Sequence, residues 1–597
     1  MVDNDAKPLD AGTGRLCASF DIATAGWLSV GAPHHRHGFV ELSALPPFDE
    51  RLRGDRGATR RHRLEMTRGE HAFLVVEIDG APPALVADVA DVSRHRWTGA
   101  GIEVSVEAVP DAPVIQQAWQ IRGDSRTVRL RLRGRIDRPA LAEITELAPP
   151  APTGAGTASS AHGAIARLDA PALPGWATVE IAGATVTWQV AEDGLSGRLT
   201  WPANTGVLRF RLGVSLGPLA EDGDPPRPDP GPTSGDRLVE RALAYIRGCT
   251  ALRVAAAERV MLTDHRVLPL SWTRDAYWQA LGLLATDSPG DRDRVADHLR
   301  WLWLRCERPD GRWARSHHAD GRRKDLAFQA DQQLYPFIEL ADYWRLIDML
   351  PGGVDWSSQV TDAWAATLGE VDPTTGLIAS AENAADDPVV APYIAASQIL
   401  LWYAASRVAE MGMATGLDID VPALRSTADA VRTAFATYLA PGDGSWPYAV
   451  DGAGGRVTYH DANDLPLALA PLWGFCDAAD PGWNASMAFA FSPANPGWTE
   501  GTLAGLGSAH TPGSWTLGDV QAWVRARTVG DAAAAQSALR RLELVAFTDG
   551  MLPEAYDPDD GERIRHWFAW PGAALAALRI LDRDGRLESR LSVRPVG

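Results

Sequence analysis

The segment Gly217–Asp236 (GPLAEDGDPPRPDPGPTSGD) divides the chain into two parts of different hydrophobic period. Its prolines and acids leave little apolar area to bury, so it is predicted to be a semi-rigid linker. Before it, apolar residues alternate in Ala72–Ile78, Ile102–Val109, Thr127–Ile136, Val179–Val190 and Val207–Leu216, with Gly, Pro and Asp between them. Such alternation predicts an N-terminal antiparallel β-sandwich over 1–216. Within it, Ala148–Ala161 (APPAPTGAGTASSA) has the composition of a flexible loop. After the linker, apolar positions recur every three or four residues. Helices are predicted at about 237–258, 275–285, 291–306, 328–349, 358–370, 389–411, 422–439, 464–477, 516–528, 531–547 and 568–582. No internal repeat of solenoid length is present. Paired helical hairpins closing into an (α/α)6 toroid over 237–597 are therefore expected, with functional loops gathered at one end of the scaffold.

Composition narrows the function. The net charge of −19 argues against nucleic acid, because phosphate recognition needs clustered Lys and Arg. The lysines are Lys7 and Lys324 alone, which reads first as codon bias. Four scattered cysteines (17, 249, 306, 476), with no CxxC pair, make a disulfide framework or structural zinc improbable. No apolar run marks residues 1–15, and no long apolar stretch follows. The expectation is a cytoplasmic protein with no membrane partner; the oligomeric state is left open.

Neutral sugars fit a chain of this charge. Cutting a glycosidic bond needs one acid to protonate the leaving oxygen and a second carboxylate to activate water or attack the sugar. Aromatic rings supply flat platforms for the substrate. Five loops combine carboxylates with Trp, Tyr, Arg or Asn. LPLSWTRDAYW (Leu268–Trp278) places Trp272, Arg274 and Asp275 just before a helix, where a capped start with a surface ion pair is the plain alternative. KDLAFQADQQLYP puts Asp331 on a helix, as a pocket or a solvated residue. GLIASAENAADDPVVAPYIAAS carries Asp386, Asp387 and Tyr393; its two acids before Pro388 also suit a helix cap. TYHDANDLPLALAPLW carries His460, Asp461, Asn463 and Asp464, the last two being possible caps. GMLPEAYDPDDGERIRHWFAW carries Glu554 beside rings, where a buried Glu can act as a base, and then Trp567 and Trp570. Its DPDDGE lacks the twelve-residue calcium-ligand pattern.

Taken in order, these segments resemble the family 125 glycoside hydrolases, exo-α-mannosidases with an (α/α)6 toroid. WTRDAYW, LAFQADQQLYP, AADDPVVAPYIAAS, YHDANDLPLAL, GLGSAHTPGSW, MLPEAYDPDD and HWFAW follow that family's order over about residues 270–575. More distantly, the arrangement is similar to the family 15 glucoamylases, whose bacterial members place a β-sandwich before the toroid. SAENAA (Ser380–Ala385), Tyr448–Asp451 and Pro553 depart from the usual family 125 residues.

The resemblance implies an inverting, exo-acting α-glycosidase for an oligosaccharide or small glycoside, an α-mannoside or α-glucoside. It implies Asp387 as general acid, with Asp386 the fallback, and Glu554 as general base. Trp272, Arg274, Asp275, Asp331, Tyr393, His460, Asp461, Asn463 and His510 would hold the sugar. Trp515, Trp567 and Trp570 would wall the pocket. No cofactor and no metal are implied, since both roles fall to carboxylates. Competing readings are a phosphorylase of the same architecture, a polysaccharide lyase, and a non-catalytic carbohydrate-binding protein.

Overall fold

The computed structural model describes residues 7–594 apart from 47, 53–54, 66–68, 90–94, 124–125, 138–155, 171–172, 192–193, 203–205, 218–234, 325–326, 441 and 443. The predicted linker, except 217 and 235–236, and the 148–155 part of the predicted loop lie outside the described residues. The chain forms two compact units. One comprises Met1–Ser271 with His318–Arg322 and Thr548–Gly550; the other comprises Trp272–His317, Arg323–Phe547 and Met551–Gly597.

The first unit holds antiparallel strands in two groups. One builds outward from the pair Trp27–His34 and Gly38–Ser43. The other runs from the meander Arg96–Gly99, Ile102–Glu107 and Ile115–Arg122 into Val207–Leu216 and Leu173–Ala182. Alternation sets their inner faces: in Ile102–Glu107 the residues Ile102, Val104 and Val106 are buried and Glu103 and Glu107 exposed. These faces share a core that includes Trp27, Trp97, Trp119 and Phe210. The buried Gln117 amide satisfies that core's polar atoms. Its oxygen accepts from Trp27 Nε1 (2.8 Å) and Trp119 Nε1 (2.9 Å), and its nitrogen donates to the Ala25 carbonyl (2.7 Å).

Three expectations for this unit are corrected. The alternating run Val179–Val190 is two strands, Leu173–Ala182 and Thr185–Ala191, turning at Gly183 with φ 88°. Residues 156–161 of the predicted loop lie in a strand, Gly156–His162, paired with Ile165–Ala170. The predicted helix 237–258 ends early: α2 covers Arg237–Tyr245, a π-helical turn Ile246–Thr250 follows, and Ala251–Ala255 pairs with Glu258–Met261 as a hairpin. The alanines favour helix, but Arg253 N–H reaches the Gly14 carbonyl (2.7 Å), and tertiary pairing overrides local propensity. An earlier helix, α1, covers Arg56–Glu65.

The second unit is helical. Among the described residues it holds α3 (Thr273–Ala285), α4 (Pro289–Arg300), α5 (Ala330–Ile347), α6 (Trp356–Leu368), α7 (Ala395–Thr415), α8 (Val421–Tyr438), α9 (Leu465–Trp473), α10 (Pro481–Ala490), α11 (Thr516–Thr528), α12 (Ala532–Val545), α13 (Ala569–Arg583) and α14 (Leu587–Leu591). The odd-numbered helices are buried almost all round; every residue of α3 is buried. The even-numbered ones bury one stripe, as in α12, where Ala535, Ala538, Leu542 and Val545 face inward. Contacts run α3–α5, α5–α7, α7–α9, α9–α11, α11–α13 and α13–α3. The inner ring therefore closes, which makes the unit an (α/α)6 toroid and not an open solenoid.

Two of these helices escape the sequence reading. Helix α10 starts at Pro481 behind Asp480, whose carboxylate accepts from Trp483 N–H (2.9 Å), a start signal present in the sequence. Helix α14 is five residues long, too short to show a period. The predicted helix 389–411 begins six residues late, at Ala395. Pro392 disfavours helix at the residue before it, and Tyr393–Ile394 instead pair with Ala449–Val450.

Candidate active site

Each inner helix of the toroid contributes residues from its N-terminal end or the loop before it. Trp272 and Arg274 open α3, Gln329 and Asp331 open α5, and Glu382–Asp387 precede α7. Asp461–Asp464 precede α9, His510–Trp515 precede α11, and Glu554 to Trp570 lead into α13. Free N–H groups at helix starts favour negative charge, which suits a site built from carboxylates.

Arg274 is the centre of one half of the constellation. Arg274 is 4% exposed. It donates to Asp331 Oδ2 (2.8 Å) and Gln329 Oε1 (3.3 Å), and stands 3.5 Å from Asp275 and 3.7 Å from Asp386. It lies 4.6 Å above the Trp570 ring. Burial opposes its charge, but Asp331, Asp275 and Asp386 outweigh burial and raise its pKa. Arg274 and Asp275 therefore do not form a surface ion pair.

Asp386 accepts from Gln329 Nε2 (2.6 Å) and from Trp272 Nε1 (3.1 Å). Neither it nor Asp387 caps a helix, since α7 begins beyond them. The loop is held by Asn383, whose side-chain oxygen accepts from the N–H groups of Ala385 (2.9 Å) and Asp387 (3.0 Å), and Asp386 takes φ 64°. That left-handed backbone turns Asp386 and Asp387 to different partners. Asp387 Oδ1 lies 3.2 Å from His510 Nδ1.

His510 is followed by Thr511, whose hydroxyl donates to Glu554 Oε1 (2.8 Å). Glu554 is 6% exposed on the strand Pro553–Tyr556. Burial lowers the His510 pKa, but the hydrogen bond to Asp387 and the charges of Glu554, Asp387 and Asp386 outweigh it, and the net shift is upward. Asp387 thus contacts the imidazole, and the charges of Glu554 and Asp386 act on it.

Asp461 supports this meeting point. It accepts from the Asn463 backbone (2.9 Å), Asn463 Nδ2 (2.7 Å), the Tyr459 hydroxyl (2.7 Å) and the Ser508 hydroxyl (2.8 Å). Ser508 Oγ in turn accepts from His510 N–H (3.2 Å). Trp515 lies edge-on to His510 at 6.3 Å. Trp567 packs against Phe547 at 6.0 Å.

Two predicted sugar ligands have other partners. The Tyr393 hydroxyl donates to Asp372 Oδ2 (2.9 Å). The buried His460 ring meets Gln521 Oε1 (2.8 Å), and burial lowers its pKa. The capping roles offered for Asn463 and Asp464 also fail: Asn463 turns to Asp461, and Asp464 makes no side-chain cap.

Sequence reasoning passed over Glu382, Gln329, Arg315 and Thr511. Glu382 accepts from Arg315 Nη1 (3.0 Å to Oε2) and Gln329 Nε2 (3.2 Å). Burial, then the charge of Asp386, raises its pKa against the pull of Arg315. The signal was an acid four residues before Asp386 in the same loop. A small cavity of about 10 Å³, room for one water, is lined by Asp331, Glu382, Asp464, Asn463, Ser397 and Tyr335 among others.

Residues 356–580 match the family described as metal-independent alpha-mannosidase (GH125). The segments around Arg274 and Asp331 precede the matched range. A solved Streptococcus pneumoniae metal-independent alpha mannosidase, in a non-productive complex with alpha-1,6-mannobiose, is 21% identical, over 58% of this chain and 93% of that one, with TM-score 0.50. A bacterial glucoamylase complexed with acarbose is 11% identical, over 98% of this chain and 95% of that one, with TM-score 0.60. At such identities these two structures speak for the fold alone. No curated protein matches the sequence. By the match over residues 356–580, the chain is a glycoside hydrolase related to family 125, with a more distant likeness in fold to glucoamylase.

Proposed function

We propose that this site removes a terminal α-linked hexose, an α-mannoside or α-glucoside, from an oligosaccharide with inversion at the anomeric carbon. Asp387 serves as general acid and Glu554 as general base. The observation that carries this reading is that the two carboxylates meet the adjacent residues His510 and Thr511 (3.2 and 2.8 Å). Inversion needs a water between two carboxyl groups about 6.5–9.5 Å apart.

In this reading Asp387 and His510 share the proton that the leaving oxygen receives. Glu554, oriented by Thr511, takes a proton from the attacking water. Water adds to the anomeric carbon as the bond to the leaving oxygen breaks, so the protons balance. Asp386, engaged by Trp272, Gln329 and Arg274, is better suited to orient the terminal sugar than to deliver a proton. Arg274 and Asp331 would bind hydroxyls of that sugar over the Trp570 face.

The pneumococcal relative was solved with alpha-1,6-mannobiose, which makes that disaccharide the first substrate to test. The assay is a panel of p-nitrophenyl α-glycosides and α-linked disaccharides, with the product anomer followed by NMR. Release of a β-anomer first supports the reading. Turnover that depends on phosphate, an unsaturated product, or retention of configuration refutes it.

A further inference from the structure

One ion pair beside the site has no task in that mechanism. Arg315 is 3% exposed, and its Nη1 donates to both oxygens of Glu382 (3.2 and 3.0 Å). Glu382 shares the Gln329 amide nitrogen with Asp386, at 3.2 and 2.6 Å. The oxygen of that amide accepts from Arg274 (3.3 Å), which turns its nitrogen to the two carboxyls. Glu382 and Asp386 therefore stand side by side, with a buried guanidinium against Glu382. The backbone of Glu382 is held without help from its carboxyl. Its carbonyl accepts from the Ser380 hydroxyl (2.6 Å), and the residue bridges Pro388 across the loop. Glu382 belongs to SAENAA, the segment that departs from the usual family 125 residues.

We propose that Glu382 is a positioning residue: by occupying Arg315 it keeps that guanidinium off Asp386, and so leaves Asp386 to orient the terminal sugar. The inference rests on the hydrolase reading above. A guanidinium stays charged in a protein, and a buried one stripped of its counter-charge is costly. It turns to another carboxylate where one is near. Asp386 stands beside Glu382 through Gln329, and its negative charge already acts on Glu382. Asp386 also has capacity to spare. A carboxylate offers about four acceptor positions, and Gln329 and Trp272 take one each. Arg315 on Asp386 would fill a position that a sugar hydroxyl needs and draw the carboxylate away from Trp272 and Arg274.

The test compares wild type, Glu382→Gln, Arg315→Gln and the double variant. Each is assayed on the best glycoside of the panel, and crystal structures are solved of wild type and E382Q. Gln matches Glu in shape and still accepts from Gln329, so E382Q removes the charge alone. In E382Q, KM should rise about tenfold, the worth of one charge-assisted contact to the sugar. Its kcat should change little, because Asp387, His510 and Glu554 are untouched. Its crystal structure should show Arg315 within hydrogen-bond reach of Asp386. Removing the guanidinium as well should bring KM most of the way back, and R315Q alone should raise KM less than E382Q does. A merely structural pair behaves otherwise: the single variants are impaired alike and the double is no better. Wild-type KM in E382Q, a loss confined to kcat, or a double variant as impaired as E382Q overturns the proposal. An E382Q that does not fold overturns it too, since the pair then serves the fold. Should wild type cleave no glycoside, the hydrolase reading fails and the structure of E382Q still decides. Arg315 on Asp386 upholds the role of Glu382, and Arg315 left in place overturns it.

Discussion

Replacing Glu554 by Gln separates catalysis from folding. Glu554 is buried, and its Oε1 accepts a hydrogen bond from Thr511 at 2.8 Å. Gln has the same shape and can turn its amide oxygen to that hydroxyl. The stability change should stay small, about 1 kcal/mol, because the amide keeps the shape and an acceptor for Thr511. The chemistry has no such substitute, because an amide does not take a proton from water. General bases contribute about 10²–10⁴ in rate, which is about 3–5 kcal/mol of barrier. The loss should fall on kcat with KM little changed, because the residues assigned to the sugar are untouched. Initial rates on the best glycoside of the panel, with melting curves of both proteins, check this. Activity of E554Q within about tenfold of wild type refutes the general-base role. So does a loss explained by a collapsed melting temperature.

Arg274→Met strands Asp331 and Asp386 beside a buried apolar chain. Breaking such a pair costs about 3–5 kcal/mol, measurable by urea denaturation, and R274K should not restore activity because Lys lacks the planar fork. His510 should titrate above its ordinary value in a 13C-histidine NMR experiment, since its pKa is raised. Its pairing then stabilises the protein fully below about pH 6.5 and is lost as pH rises through the folded-state pKa. In E554Q that titration should move down; an unmoved resonance counts against an influence of the Glu554 charge on His510. In the first unit, Lys7 is buried 2.8 Å from both Asp10 and Asp549. Burial disfavours the Asp10 charge, but Lys7, His265 and Arg241 hold its pKa down. Lys7→Met should cost about 3–5 kcal/mol, and a wild-type denaturation midpoint would contradict this.

The tryptophans show where reading the sequence reaches its limit. Loops rich in Trp suit sugar platforms, and Trp570 does lie under Arg274. Yet Trp303, Trp313 and Trp356 meet edge to face at 4.9–5.7 Å as packing. Composition cannot separate a ring in a core from a ring in a pocket, because both need a large apolar face. The acids behaved likewise. Asp461 and Asp464 share one loop and one residue type, but Asp461 gathers four hydrogen bonds from Tyr459, Asn463 and Ser508, whereas Asp464 makes no side-chain cap to the helix it starts.

The sequence by itself determined the change from period two to period 3.6, the pairing of inner and outer helices, and which short segments carry acids. These are local properties, set by residues a few positions apart. Only the tertiary structure decided that α13 returns to α3, that Glu554 and Asp387 meet neighbouring residues of one loop, and that Gln329, Glu382 and Thr511 belong with them. It also decided that residues 251–261 form a hairpin where alanines favoured helix. Such meetings join residues far apart in the chain, and their stability comes from burial and pairing that no local pattern records.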